Sequence, residues 1–566
     1  MFRGIQRTLF LRQETLSQRY LHSTTCKLNR GNKNTSENET SSADQELKKS
    51  TENEHSDALI NSKKNNQSPI IHENGLYYGK FTKEEYKSAR AFVTSQYTKL
   101  EQEIKGTHDV RENLGKIPQF PASASSSAHF GKAGTKTPAV NSLLDLFQET
   151  IKTTGPISLL AYMRQCLTHP ELGYYTTRDP LEALGGDFIT SPEISSVFGE
   201  MIGIWLYAVW TTQGQPLAVN VVEFGPGRGT LVHDAMCVFS KFVEKAGKSV
   251  DGHIWLIEAS PVLRKEQWKT LCSPDSRFET DENGFNTSIS KWGNKITWAD
   301  TEKDVKCSPN ECNYVLAHEF FDALPIKSFT RTEKGWRELL VEHTQAVVNT
   351  QMKLPAAEEE SGSAGSVCSV HNDVPEELRT EFHLTASIKE TPSSNVPRMS
   401  PRFAKLPVGS RIEICADAEL YMRRIMELVN NNGKGQGAAL IIDYGPAAEI
   451  PLNLLRGIYK HKFVSPFFRP GEVDLSIDVD FGNLKSLAQP QVEAFGPTEQ
   501  GEWLHTMGAG HRFDQLIKSA NLMANKELLY ESYVRLTDKD QMGKIYKFLA
   551  LMPKGSQAPV GFGGSL

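Results

Sequence analysis

Three groups of residues in this 566-residue chain have types and spacings suited to chemistry. The first is the stretch Val222-Glu223-Phe224-Gly225-Pro226-Gly227-Arg228-Gly229-Thr230-Leu231. A glycine-rich turn after an apolar run lets backbone approach a ligand closely. The dinucleotide fingerprint GxGxxG needs its third glycine at position 230, where Thr230 stands. Glu223 precedes the first glycine by two residues and faces whatever the loop holds. At about 5 Å and an effective dielectric of about 20, one charge pair is worth roughly 3 kcal/mol. A pyrophosphate is repelled by that amount, whereas a ligand carrying an ammonium and a sulfonium is attracted. The pattern therefore favours S-adenosyl-L-methionine over a nicotinamide dinucleotide. The second group is Glu258, placed to accept hydrogen bonds from both ribose hydroxyls. The bland alternatives are a helix N-terminal acid at Glu223 and a helix cap at Glu258. The third group is His318-Glu319-Phe320-Phe321-Asp322, with two carboxylates after an apolar run.

These residues need a frame that brings them together. AVNVVEF (218–224), HIWLIEAS (253–260), KITWA (295–299), NYVLAHE (313–319) and GAALIIDYG (437–445) read as buried strands. Helices are expected after Thr230, after Pro261 and over ELYMRRIMELVN (419–430), with Leu420, Ile425, Leu428 and Val429 on one side. Apolar strands separated by helices form a parallel sheet covered on both faces, so the fold class is α/β. Ligands bind beyond the carboxyl ends of such strands. Glu223, Glu258, Glu319 and Asp443 end four of them, which puts four acids at one rim. KSFTRTEKGWRELLVEH (327–343) reads as a hairpin, and the segments before 218 and after 445 are expected to form an inserted lid or substrate region.

The ends differ from this core. Residues 1–25 carry Arg3, Arg7, Arg12 and Arg19 against a single acid, Glu14, and read as a mitochondrial presequence. Residues 26–139 read as mostly disordered linker, with one possible helix at 82–104. The domain is expected over 140–553, interrupted by a low-complexity insertion at 345–400, and residues 554–566 read as a flexible tail. The formal net charge of −5 gives no general attraction for nucleic acid, and no apolar run is long enough to span a membrane. The eight cysteines show no CxxC and no zinc spacing, so no metal is expected. No GxxxxGK[ST] loop occurs.

LGYYTTRD, GDFITSPEISSVFGE, VEFGPGRGTL, LAHEFFDALPI, LIIDYG and DLSIDVDF, in that order, closely resemble the MidA-like methyltransferases. The resemblance covers about 140–553 apart from the 345–400 insertion. It implies a Rossmann-like class I methyltransferase sheet with inserted lid or substrate segments, and S-adenosyl-L-methionine as cofactor. It also implies symmetric dimethylation of an arginine in a peripheral-arm subunit of complex I, in the mitochondrial matrix, in support of complex I assembly. One departure is plain: the double-glutamate loop SExMGxxLxxE of common arginine methyltransferases is missing.

Methyl transfer to a guanidinium needs carboxylates to orient it and localise its charge. Glu319 is expected to bind the guanidinium, with Asp322 helping or capping a turn, and His318 either taking a proton or simply packing. The resemblance adds Asp187, Thr190 and Ser191 to the cofactor site. Ser191 before Pro192 also fits a helix N-cap. Tyr174, Tyr175 and Arg178 are expected at the same mouth. Asp474, Asp478 and Asp480 read as one solvated face or as an acidic groove for a basic peptide. Two rivals remain at this point. An RNA methyltransferase shares the fold, but its (N/D/S)PP(Y/F) motif is represented only by the misplaced Ser465-Pro466-Phe467-Phe468. A non-catalytic assembly chaperone is the other.

Overall fold

The computed structural model describes residues 142–179, 181, 189–343, 380–431 and 433–564. The presequence, the possible helix at 82–104, Asp187 and residues 345–379 of the insertion lie outside these.

The apolar runs become a nine-stranded sheet. Its frame is β1 (Val219–Phe224), β2 (His253–Ile257), β3 (Lys295–Ala299), β4 (Cys312–His318), β5 (Ala438–Tyr444), β6 (Val492–Glu499) and β7 (Tyr546–Pro553). The spatial order is β6-β7-β5-β4-β1-β2-β3. Neighbours from β5 to β3 are parallel, and β7 runs antiparallel between β5 and β6. Asn286–Ile289 and Glu279–Thr280 extend the β3 edge antiparallel. Chain order reverses between β1 and β4, and this switch opens a crevice at their carboxyl ends.

Period-two alternation divides each strand between two cores. Val221, Leu256 and Leu316 join one apolar cluster, which the helices Ser196–Thr212 and Thr230–Lys245 cover. Val222, Phe224 and Val315 join the other, under the helices Ala416–Val429 and Phe481–Ala488. Leu420 was expected inward but is exposed. The face that packs carries Ala418, Met422, Ile425 and Val429, in step with the helical period.

Inserted segments build a lid with its own core. The expected hairpin is Lys327–Thr332 with Gly335–His343. Phe382–Ala386 pairs with the second of these strands and Arg411–Ile414 with the first. Residues 380–400, expected to belong to the insertion, are therefore part of the fold: the alternating strand FHLTA is flanked by low-complexity sequence that masks it. A small sheet of Arg456–Tyr459, Lys462–Val464 and Asp474–Ser476 completes the lid. The helices Leu143–Thr154 and Leu159–Thr168 fill it with Phe147 and Tyr162, whose rings pack at 4.8 Å. The C-terminal segment, expected to be a flexible tail, also packs: Val560 and Phe562 lie on the main core. A side chain at Gly561 would come within 2.5 Å of Trp503 Nε1.

Candidate active site

At the switch point the sheet presents Glu223, fifth in a wholly buried strand. It is 2 % exposed, and its Oε2 has no hydrogen-bond partner among the described residues. Burial pushes its carboxyl up to about 8. The loop that follows turns on Gly225, Gly227 and Gly229, with φ of 60°, 54° and 81°. A side chain disfavours that left-handed backbone by roughly 1–2 kcal/mol per residue. Thr230, which replaces the dinucleotide glycine, opens the helix Thr230–Lys245 and donates to Glu193 Oε1 at 2.5 Å. It thereby ties the glycine loop to the segment carrying Thr190.

The cap of the helix Pro261–Leu271 is Ser260, whose side chain accepts from the Leu263 N–H, and not Glu258. Glu258 Oε1 accepts from the Ser260 N–H at 2.7 Å, and the carboxylate lines the cavity beside Gly227. Burial pushes it up to about 7. Its orientation depends on Gln267, a residue that no motif singles out. Gln267 is fully buried, donates to Glu258 Oε2 at 3.1 Å and Gly227 O at 2.7 Å, and accepts from Trp298 Nε1 at 2.8 Å. Asp300, the acid after β3, lines the same end and was also missed.

Opposite this end lies the turn after β4. Glu319 continues the sheet ladder by donating its N–H to Ile442 O at 2.9 Å, but it does so at φ 47°. A non-glycine residue in that region is strained, and the surroundings must hold it. Asp443 does so, accepting from the Phe321 and Asp322 N–H groups at 3.1 and 3.3 Å. Of the four rim acids, Asp443 is thus the one that holds the loop. Glu319 is pushed up to about 8 by burial and then by Asp322. Its donors are the Tyr546 hydroxyl and the Ser191 backbone N–H, while Oε1 has none among the described residues. Asp322 is buried, and its donors are the Tyr444 and Ser476 hydroxyls and the Ala323 N–H; among the described residues its Oδ1 has no hydrogen-bond partner.

His318 reaches the cavity, with Nε2 3.4 Å from Glu319 Oε1. Burial lowers its pKa to about 3, and its ring packs edge-on against Phe198. It is neutral there and a poor proton acceptor. Thr190 lines the cavity, whereas the Ser191 hydroxyl turns to Gln500 Oε1 at 3.4 Å. Ser191 is also not the N-cap. Thr190 holds that position, without a side-chain cap bond, and Ser191 is the first helical residue. Tyr175 joins the cavity, while Arg178 packs over the Tyr174 ring at 5.2 Å. The three aspartates of DLSIDVDF do not share one face. Asp474 accepts from Tyr175, Asp478 pairs with Arg456 at 2.6 Å, and Asp480 caps Phe481–Ala488 while paired with Arg402.

All of this surrounds one cavity of about 530 Å³. Glu223 Oε2, Glu319 Oε1 and Asp322 Oδ1 are buried acid oxygens in its wall without donors among the described residues. Buried carboxylates left unpaired are costly, so such a cavity suits cationic guests. The ammonium and sulfonium of S-adenosylmethionine fit the Glu223 end, and a second cation fits the Glu319 end.

The comparisons agree with this geometry. Residues 201–498 match a family described as "Putative S-adenosyl-L-methionine-dependent methyltransferase". The mitochondrial protein arginine methyltransferase NDUFAF7 of Xenopus laevis is 33% identical over 420 residues, covering 74% of this chain and 86% of that protein. The human protein of the same name is 32% identical, over 71% of this chain and 81% of its own. A solved structure of a COG1565 superfamily member from Burkholderia thailandensis, bound to S-adenosyl-homocysteine, superposes with a TM-score of 0.54. It shares 19% identity and covers 76% of this chain and 98% of its own, so it supports the Rossmann-like methyltransferase fold. Cavity, sheet order and sequence agree, and this chain belongs to the family of S-adenosyl-L-methionine-dependent methyltransferases.

Proposed function

We propose that this chain is a mitochondrial protein arginine methyltransferase. Its proposed reaction is symmetric dimethylation of an arginine in a peripheral-arm subunit of complex I, in the matrix, in support of assembly of that complex. One observation carries the arginine reading. Glu319 Oε1 and Asp322 Oδ1, both without donors among the described residues, face the same cavity as Glu223 and the glycine loop. Relatives named as mitochondrial protein arginine methyltransferases support the substrate class and the compartment.

Glu223 holds the ammonium of the cofactor, Gly225, Gly227 and Gly229 bring backbone against it, and Glu258 holds its ribose. When bound, S-adenosylmethionine supplies a methyl on a sulfonium, whose sulfur keeps the bonding pair and leaves as a neutral thioether. Glu319 and Asp322 hold the guanidinium so that one nitrogen points toward the glycine loop. A guanidinium beside Glu319 offsets the burial and the repulsion that raise its pKa, so its carboxylate is ionised in the complex. Glu319 Oε1 then accepts the one proton that the attacking nitrogen sheds. His318, held neutral by burial, forms part of the wall. The test is to incubate purified protein with methyl-labelled cofactor and complex I subunits and to map the label. A doubly labelled arginine, one methyl on each terminal nitrogen, is expected; label only in RNA, or in no acceptor, refutes the reading.

A further inference from the structure

The acceptor end has a wall that the methyltransferase sheet does not supply. Residues 172–178 and 471–474 are far apart in sequence but run against each other. Arg178 donates to Gly471 O at 3.2 Å and Glu472 O at 3.3 Å. The backbones approach so closely that a side chain at Gly471 would meet Leu172 O at 2.4 Å. This strap delivers Asp474, which is 3 % exposed and whose Oδ1 accepts from the Tyr175 hydroxyl at 2.7 Å. Tyr175 and Asp474 both line the cavity that holds Glu319 and Asp322. The charge of Asp474 helps raise Glu319, so the two carboxylates share one space. Arg456, which lines the same end, is engaged by Asp478 at 2.6 Å and lies over the Tyr444 ring at 5.0 Å.

We propose that Asp474, oriented by Tyr175, is a third carboxylate that binds the substrate guanidinium and selects arginine over lysine. The proposal rests on the arginine methyltransferase reading above and deepens it. A guanidinium spreads five N–H donors around a plane, so acids on separate segments can hold its other edges while one nitrogen attacks. A lysine ammonium is a point with three donors and does not span them. Asp322 Oδ1, buried in the same wall and without a donor among the described residues, also suits a cationic occupant.

The experiment uses the full chain, a peripheral-arm complex I subunit as acceptor, and the same subunit with its target arginine changed to lysine. Asp474→Asn is expected to bind S-adenosylhomocysteine within about twofold of wild type, while KM for the subunit rises about tenfold or more, as for loss of a charge-assisted hydrogen bond. The arginine-over-lysine preference in kcat/KM falls by a similar factor, and Asp474→Glu restores part of both. Tyr175→Phe raises KM in the same direction by less. An Asp474→Asn protein with normal cofactor binding and wild-type KM overturns the assignment. If Asp474→Asn fails to bind cofactor, Tyr175→Phe decides, and an unchanged KM there overturns it. Wild-type protein that methylates no arginine refutes the underlying function, and this assignment with it.

Discussion

Replacing Glu223 by glutamine moves stability and cofactor binding in opposite directions. The carboxyl titrates near 4.5 when solvated and near 8 when buried in the fold. Between those values the folded chain binds more protons than the unfolded one. Stability therefore falls as pH rises through this window, by about 1.4 kcal/mol per pH unit. At pH 7, roughly 2.5 units above the lower value, the cost is about 3 kcal/mol. Glutamine keeps the shape and carries no charge. The cofactor-free variant should be more stable than wild type at pH 7 by up to that amount, and the difference should vanish below pH 4.5. Binding should move the other way. The charge pair is worth roughly 3 kcal/mol at about 5 Å, but at pH 7 a group near 8 must first shed its proton at a cost of about 1.4 kcal/mol, so the variant should bind S-adenosylhomocysteine about twentyfold more weakly. At pH 7 wild-type binding should also release up to one proton more than the variant, as Glu223 ionises beside the ammonium. Thermal melts from pH 4.5 to 8, with and without S-adenosylhomocysteine, and calorimetry in two buffers read all three. A variant less stable than wild type at pH 7 without cofactor, or one that binds equally well, refutes the reasoning.

Two further outcomes concern the cofactor end. Gln267→Ala strips partners from Glu258 Oε2, Gly227 O and Trp298 Nε1, and should cost about 1–3 kcal/mol in melts. Its cofactor affinity should fall as well; unchanged affinity would mean that Gln267 does not orient Glu258. Gly229→Ala places a methyl 3.2 Å from Leu271 Cδ1 at φ 81°, and should destabilise by about 1–2 kcal/mol in denaturant titration. Equal stability would remove the argument that this loop needs its glycines.

What was legible in the sequence was local and periodic. VNVVEF is buried on both faces, so its mostly apolar run identified β1 and placed Glu223 at the rim. The same holds for β4 with Glu319 and β5 with Asp443. Thr230 was readable as a departure from the dinucleotide loop because the spacing is contiguous. The residues that were not legible act across long separations. Gln267 reaches the glycine loop 40 positions away, and Tyr444 meets Asp322 across 122. No period or motif records such meetings. DLSIDVDF misled because its even spacing implies one face, whereas the strand ends at Ser476 and the backbone then turns. Ser191 was off by one for a simpler reason: proline occupies the second helical position as well as the first.

The central claim is that one cavity joins a cofactor end at Glu223 to an acceptor end at Glu319. Glu319→Gln tests it most directly, with cofactor affinity and single-turnover methyl transfer measured on the same preparation. The account predicts S-adenosylhomocysteine binding within about twofold of wild type and transfer reduced by about two to four orders of magnitude. Transfer at the wild-type rate, or loss of cofactor binding in place of transfer, would contradict it.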